Sequence, residues 1–72
     1  MAKYYFYKEG KKTYIKDVDF ANGTLTFTED PHQAFVERDG YYAKPMKDQL
    51  KRGFKSDYPQ LNDLHLESDG SW

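Results

Sequence analysis

The side chains that could do metal chemistry are few and scattered. His32 and His65 lie far apart in sequence, and neither has a partner at the spacing of a metal-binding motif. A calcium loop starting at Asp17 would have Ala21 at its fifth position and Asn22 at its sixth, where the EF-hand pattern needs a ligand and a glycine. The sequence therefore predicts solvent-facing acids on a turn and no metal site.

Catalytic groups are equally sparse. The chain has three serines and four threonines, none in an activating motif, and no glycine-rich phosphate loop. A core built from 72 residues leaves little room for a substrate pocket of several hundred cubic ångströms. We expect no enzymatic activity and no cofactor.

Basic residues provide a better candidate for function. Five of them lie on or beside a predicted helix, namely Lys44, Lys47, Lys51, Arg52 and Lys55. Apolar residues recur there at a spacing of four, namely Met46, Leu50 and Phe54. This pattern is typical of an amphipathic helix whose basic side is either an ordinary solvated face or a surface for phosphates or acidic proteins. Nucleic-acid binding through residues 44–55 is thus an alternative, although the net charge of −1 argues against general attraction to nucleic acid.

The first predicted strand is unusually aromatic. Tyr4 and Phe6 must face one side of a strand and Tyr5 and Tyr7 the other, so only one pair enters the main core. The second pair is covered by the chain itself or is open to partners or to a stacked nucleic acid. Together with the helix, this gives the candidate interaction surface: Tyr5, Tyr7, Lys47, Lys51, Arg52 and Lys55.

Length and composition set the class of protein. The chain has 72 residues, of which 18% are aromatic, and no cysteine. We expect a single domain over residues 1–72 whose core relies on aromatic rings. The sequence has neither an apolar run long enough to span a membrane nor a signal-peptide pattern at its start, so we expect a cytoplasmic protein without a membrane partner.

A hairpin is predicted around Asn22 and Gly23, because this dipeptide suits a two-residue type I′ turn. That register pairs Phe20 with Leu25 and Val18 with Phe27, which places four apolar side chains on one face. The polar residues of both strands then fall on the other face. Turn chemistry and alternation agree on this hairpin.

A preceding hairpin joins strands over residues 3–8 and 13–18, but its register is open. A three-residue loop over residues 9–11 would place Tyr14 on the face of Tyr4 and Phe6. It would also turn Lys16 inward and Ile15 outward, which a β-bulge near Lys16 would correct. Either register gives a three-stranded meander.

Helix signals follow the meander. Asp30 is predicted to cap a helix over residues 31–38 that stops at Asp39 and Gly40. Residues 41–43 are expected to form a fourth short strand or an extended linker. A second helix is predicted over residues 45–52, with Gly53 as its stop. Residues 64–67 alternate like an edge strand, with His65 pointing away from its leucine neighbours, and residues 67–72 resemble a frayed tail.

The sequence thus predicts an α+β fold, a three- or four-stranded antiparallel meander packed by one or two short helices. Over residues 3–36 the order of a Lys/Tyr-rich strand, Y-I-K-D-V-D-F, T-L-T-F-T and E-D-P-x-x-A-F resembles small uncharacterised phage and prophage proteins of lactic-acid bacteria and other Firmicutes. The resemblance implies a bacterial cytoplasm and a role in phage biology, and it implies no chemistry. We expect a non-enzymatic module that binds a protein partner or forms a homodimer.

Overall fold

The computed structural model describes residues 1–54 and 56–68. Two short 3-10 helices, Pro31–Gln33 and Pro59–Asp63, connect the larger elements. In chain order these are β1 (Ala2–Lys8), β2 (Lys11–Asp19), β3 (Thr24–Thr28), β4 (Val36–Glu37), α1 (Gly40–Phe54) and β5 (His65–Ser68). The predicted α+β class is confirmed, with five antiparallel strands and one α-helix in the described residues.

Strand β1 lies at the centre of a curled sheet. Tyr5 pairs with Tyr14 of β2 and also with His65 of β5, so β2 and β5 flank opposite edges of β1. Ala2 and Lys3 pair with both β4 and β5, which places β4 on the same edge as β2. Strand β3 pairs with β2 and lies at the end of the sheet.

The first hairpin closes with two residues instead of three. Lys8 pairs with Lys11, and both Glu9 (φ 54°) and Gly10 (φ 79°) have the positive φ that a type I′ turn requires. The three-residue loop considered from the sequence is therefore wrong. Because register decides the face of every side chain, Tyr14 now lies opposite Tyr5, on the side of the sheet away from the main core.

The bulge predicted near Lys16 is confirmed. Ile15 is fully buried because the two-residue first turn already places it on the inner face with Thr13. The register of β2 against β3 shifts between Ile15 and Asp17, which leaves Lys16 exposed and returns Val18 to the inner face opposite Leu25. The Ile15 carbonyl accepts the Phe35 N–H at 2.8 Å, which draws the segment leading into β4 against β2. The bulge thus both restores the inward face and anchors the next part of the chain.

The second hairpin has a four-residue turn, and its predicted two-residue turn is wrong. Asp19 pairs with Thr24, and Val18 with Leu25. The Asp19 carboxylate accepts the Asn22 backbone N–H at 3.1 Å and its side-chain amide at 2.7 Å. This local bonding competes with the type I′ geometry, so of the two predicted turn residues only Gly23 has a positive φ. Phe20, expected in the core, is 51% exposed in the turn.

The first predicted helix is reduced to one turn. Asp30 is a cap as predicted, since its Oδ1 accepts the His32 N–H at 2.9 Å. The turn ends at Gln33, and Val36 in β4 pairs with Lys3 in β1. The helix predicted over residues 31–38 is therefore wrong, because docking of this segment on β1 and β2 satisfies its backbone in an extended form.

Helix α1 begins five residues before the predicted helix. Asp39 caps it, with its Oδ1 accepting the Tyr41 N–H at 2.9 Å, so Asp39 and Gly40 start a helix instead of stopping one. Residues 41–43 form its first turn, and the predicted strand or linker is wrong. Pro45 lies inside the helix, and Gly53 does not stop it before Phe54.

The core lies between the inner face of the sheet, α1 and the turn at Pro59–Asp63. Its buried residues are Tyr4, Phe6, Ile15, Leu25, Leu50, Phe54, Leu61 and Leu64. The Tyr4 hydroxyl donates to the Ala43 carbonyl at 3.0 Å, so this fully buried phenol is hydrogen-bonded. Tyr4 and Phe6 thus form the inward pair of β1.

The free edge of β3 meets a side chain. The Leu25 N–H donates to the Tyr58 hydroxyl at 3.0 Å.

At the opposite edge of the sheet the predicted last strand is confirmed as β5, with Leu64 buried just before it and His65 exposed. Glu67 belongs to β5, which corrects the tail predicted from residue 67, and residues 69–72 lie outside the described residues.

Candidate functional site

The predicted interaction residues fall on two separate surfaces. Tyr5 and Tyr7 lie on the outer face of the sheet, which we define as the side opposite α1. The basic side chains lie on α1, which packs on the inner face through Leu50 and Phe54. Lys47, Lys51 and Arg52 are therefore not brought together with the tyrosines, and Lys55 lies outside the described residues.

Six side chains from three strands form what we call the outer-face cluster. Its members are Tyr5, Tyr7, Lys12, Tyr14, His65 and Glu67. Strand pairing places them side by side, because Tyr5 lies opposite both Tyr14 and His65, and Tyr7 lies opposite Lys12. Glu67 is two residues after His65 in β5 and so points to the same face.

Aromatic contacts centre on Tyr5. Its ring centroid lies 5.7 Å from that of Tyr7, 6.0 Å from that of Tyr14 and 5.3 Å from that of His65. Tyr7 also contacts His65, at 6.3 Å between centroids. Four rings thus support one another in edge and tilted arrangements, which are the favourable geometries for aromatic pairs.

A charged pair completes the cluster. Lys12 forms an ion pair with Glu67, and its Nζ lies 4.2 Å from the Tyr5 ring centroid and 5.6 Å from that of Tyr14. The Tyr14 hydroxyl donates to Oε2 of Glu67 at 3.1 Å. The hydrogen bond from Lys12 lowers the pKa of Glu67 and raises that of Lys12. Burial, followed by the bond to Glu67, raises the pKa of Tyr14.

Exposure within the cluster increases from its centre to its rim. Tyr14 is only 5% exposed, Tyr5 is half-buried, and Tyr7 is 59% exposed. Neither α1 nor the turn at Pro59–Asp63 covers this face, since both pack on the inner side with Tyr4 and Phe6. Tyr7 is therefore an accessible ring that contacts two other rings of the sheet, those of Tyr5 and His65.

Four members of the cluster were not among the interaction residues predicted from the sequence. Lys12, Tyr14, His65 and Glu67 join Tyr5 only through the two-residue first turn and the pairing of β5 with β1. The glycine at position 10 was a sequence signal for the short loop, because glycine readily adopts the positive φ that Gly10 has in this turn. The pairing of β5 with β1 had no comparable sequence signal.

The basic surface of α1 is more mixed than the sequence suggested. Lys44 and Arg52 are exposed and Lys47 and Lys51 half-buried, with exposed Asp48 among them. None of the four basic side chains forms an ion pair with another residue in the part of the chain that the structure describes.

Two tyrosines at the start of α1 were also missed as surface residues. Tyr41 is 80% exposed and Tyr42 is exposed beside it, with 5.0 Å between their ring centroids. They come to the surface because Asp39 starts the helix there and turns Ala43 to the core. The exposure of these two tyrosines was not predicted from the sequence, because residues 41–43 were expected to form a strand or a linker and not a helix.

The grooves on the described surface contain few side chains suited to catalysis. One of about 250 Å³ has a lining with neither a carboxylate nor an imidazole, made of Phe6, Tyr7, Lys8, Thr13, Phe27 and Gln60. No group of three or more His, Cys, Asp or Glu among residues 1–54 and 56–68 is arranged to hold a metal ion. In the same ranges no helix is both long and apolar enough to traverse a bilayer.

Fold and surface together define a small α+β domain with an aromatic outer face and a basic helix on the opposite side. No protein-family model matches the chain, and neither a curated protein nor a solved structure is significantly similar to it.

Proposed function

We propose that the chain is a small non-enzymatic binding module and that the outer-face cluster is where it contacts a protein partner or a second copy of itself. The observation that supports this most directly is Tyr7, which is 59% exposed while the rings of Tyr5 and His65 hold it in place. Tyrosine is enriched at the centres of protein interfaces. A ring already fixed by its neighbours loses little conformational freedom on binding.

The test compares two exposed tyrosines on opposite sides of the domain. Tyr7→Ala removes the outer ring, and Tyr41→Ala, at 80% exposure on α1, is the matched control. Self-association is measured by sedimentation equilibrium, and partner binding by capture from a bacterial lysate followed by titration of the captured protein. We expect Tyr7→Ala to weaken binding about 30-fold, the effect of an interface hot spot near 2 kcal/mol.

The control should bind like the wild-type chain. A strict monomer that captures nothing contradicts the proposal, as does equal binding by the Tyr7→Ala and wild-type chains. Circular dichroism spectra of both variants establish that the fold is kept.

A second candidate function is nucleic-acid binding through α1, and a different observation supports it. Lys44, Lys47, Lys51 and Arg52 lie on one helix and form no ion pairs with other described residues. The exposed rings of Tyr41 and Tyr42 at the same helix are available for base stacking.

This alternative predicts affinity for single-stranded DNA or RNA that falls steeply with salt. Removing one phosphate contact, as in Lys44→Ala, should reduce the slope of log K against log salt by about 0.7–0.9. Lys8→Ala, on the first hairpin, is the control. Fluorescence anisotropy that stays flat at low salt refutes the alternative, whereas the outer-face proposal is unaffected by that result.

We further propose that the protein belongs to the bacterial cytoplasm and derives from a phage or prophage. The support is the resemblance of residues 3–36 to small phage proteins and a composition without cysteine. Fractionation of a bacterial host that expresses the tagged protein tests the location, with the tag expected in the cytosolic fraction. Transcript levels in a host that carries the gene test the origin, since a prophage gene responds to prophage induction.

A further inference from the structure

Part of the outer-face cluster has the form of a cation cage. The ammonium group of Lys12 lies 4.2 Å from the Tyr5 ring centroid and 5.6 Å from that of Tyr14, and it pairs with the Glu67 carboxylate. Two ring faces and one carboxylate are the groups by which proteins bind ammonium and guanidinium ions. The chain thus contains a cation site that one of its own lysines occupies.

The walls of this cage have contacts that do not involve Lys12. Tyr5 packs on Tyr14 and His65, and strand pairing fixes all three positions. The Tyr14 hydroxyl orients Glu67 through its 3.1 Å hydrogen bond. Because each wall belongs to a different strand, the cage is part of the sheet and exists before any ligand arrives.

Lys12 itself can leave the cage. Its side chain is 36% exposed, and it reaches the rings through a flexible four-carbon stem near the start of β2. An ion pair at such a partly exposed position is weak, because water competes for both charges. Displacement of Lys12 uncovers an anionic carboxylate beside two rings, which favours a cation and disfavours a phosphate.

We propose that Tyr5, Tyr14 and Glu67 form a recognition site for the cationic side chain of a protein partner, a lysine or arginine that takes the place of Lys12. The identity of the partner rests on the proposed function, whereas the cage does not. Lys12 acts as an internal competitor: only a partner whose cation is supported by further contacts, such as those with Tyr7, binds well enough to displace it.

The experiment empties the cage and offers it a simple cation. Lys12→Ala is titrated with tetramethylammonium chloride while the Tyr5 and Tyr14 ring signals are followed by NMR, with sodium chloride at equal ionic strength as the salt control. We expect saturable shifts of both rings and binding at least about tenfold tighter than in the wild-type chain. Lys11→Ala, which changes the exposed neighbour in β2, should behave like the wild-type chain.

A second substitution tests the carboxylate wall. Lys12→Ala with Glu67→Gln should lose the saturable shifts, because the cage then has no anion. Equal binding by Lys12→Ala and the wild-type chain overturns the proposal, as do shifts that stay linear in Lys12→Ala. Lys12→Thr keeps a strand-forming residue at this position. If neither Lys12 variant retains the packing of Tyr5 on Tyr14, the cage depends on its lysine and the proposal is overturned.

The two proposals fail in different ways. Suppose that the cage binds tetramethylammonium but that Tyr7→Ala does not change partner binding. This result refutes the outer-face proposal and supports the cation site. A partner that depends on Tyr7 but not on Glu67, with an emptied cage that binds no cation, refutes only the cation site.

Discussion

The buried phenol of Tyr4 should make the fold sensitive to alkali. Burial, together with the negative charge of Glu37, raises the pKa of Tyr4 from 10.0 to about 12. Between these values the unfolded chain has lost this proton while the folded chain still holds it, so the free energy of unfolding falls as pH rises. The stabilisation is complete below pH 10 and is lost through pH 12. The loss reaches about 1.4 kcal/mol by pH 11 and approaches about 3 kcal/mol above pH 12.

Tyr4→Phe isolates this contribution. The variant loses the 3.0 Å hydrogen bond to the Ala43 carbonyl and should be about 1 kcal/mol less stable than the wild-type chain at pH 8. It has no phenol to ionise at position 4, so its stability should fall less with pH, and the two curves should meet near pH 11. Urea unfolding at pH 8, 9, 10 and 11, followed by circular dichroism, measures the free energy of unfolding of the wild-type chain and of Tyr4→Phe at each pH.

The control is Tyr41→Phe, which changes a phenol that is 80% exposed and should keep the wild-type dependence on pH. Ionisation of Tyr14, whose pKa is also raised by burial, affects the wild-type chain and Tyr4→Phe alike and cancels in their difference. Parallel stability curves for these two chains from pH 8 to 11 would refute the assignment of the alkaline effect to Tyr4.

Three further substitutions test the core, the first turn and the outer face. Leu50→Ala removes a fully buried side chain and should cost about 2–5 kcal/mol in urea unfolding. The same change at exposed Gln49 should cost less than about 0.5 kcal/mol, and similar losses at both sites would contradict the position of the core. Glu9→Asn should raise stability by about 0.5–1 kcal/mol, because Asn tolerates the φ of 54° better than Glu does; a lower melting temperature would argue against this turn. Glu67→Gln should lower the melting temperature at pH 7 but not at pH 2. The stabilisation by ionised Glu67 is present above its unfolded pKa and is lost as pH falls through its lowered folded pKa; an equal effect at both pH values would oppose the ion pair.

Features of the fold that depend on alternation or on a single cap were predictable from the sequence. The division of Tyr4 and Phe6 from Tyr5 and Tyr7 between opposite faces of β1, the bulge at Lys16 and the cap at Asp30 all appear in the structure. Each follows from short-range geometry, either the two-residue period of a strand or a side-chain acceptor beside a helix start.

Turn and helix boundaries were not predictable because short polar residues have several uses. Asp19 was assigned to the polar face of a strand, but its carboxylate folds the next turn through Asn22. Asp39 beside Gly40 was interpreted as a helix stop, although the same aspartate accepts the Tyr41 N–H and starts α1. Which use prevails depends on where the following chain packs.

The candidate site was only half predictable. Alternation alone placed Tyr5 and Tyr7 on one face of β1 and allowed only one of the two aromatic pairs into the core, but it did not say which pair. Two members of the outer-face cluster, His65 and Glu67, come from positions more than 50 residues after Tyr5, through the pairing of β1 with β5. Such long-range pairing has no local signature, so His65 and Glu67 were seen as parts of an edge strand and not as neighbours of Tyr5.

The hydroxyl of Tyr58 has a consequence for the solubility of the protein. Strand β3 reads Thr-Leu-Thr-Phe-Thr, an uncharged segment with high β-propensity at the end of the sheet, the kind of edge on which another copy adds its own strand. By accepting the Leu25 N–H while its ring packs on Phe27 and Phe54, Tyr58 occupies a hydrogen-bonding position that a growing fibril would need. One phenol from outside the sheet thereby removes a backbone donor that edge-to-edge addition of another copy would use.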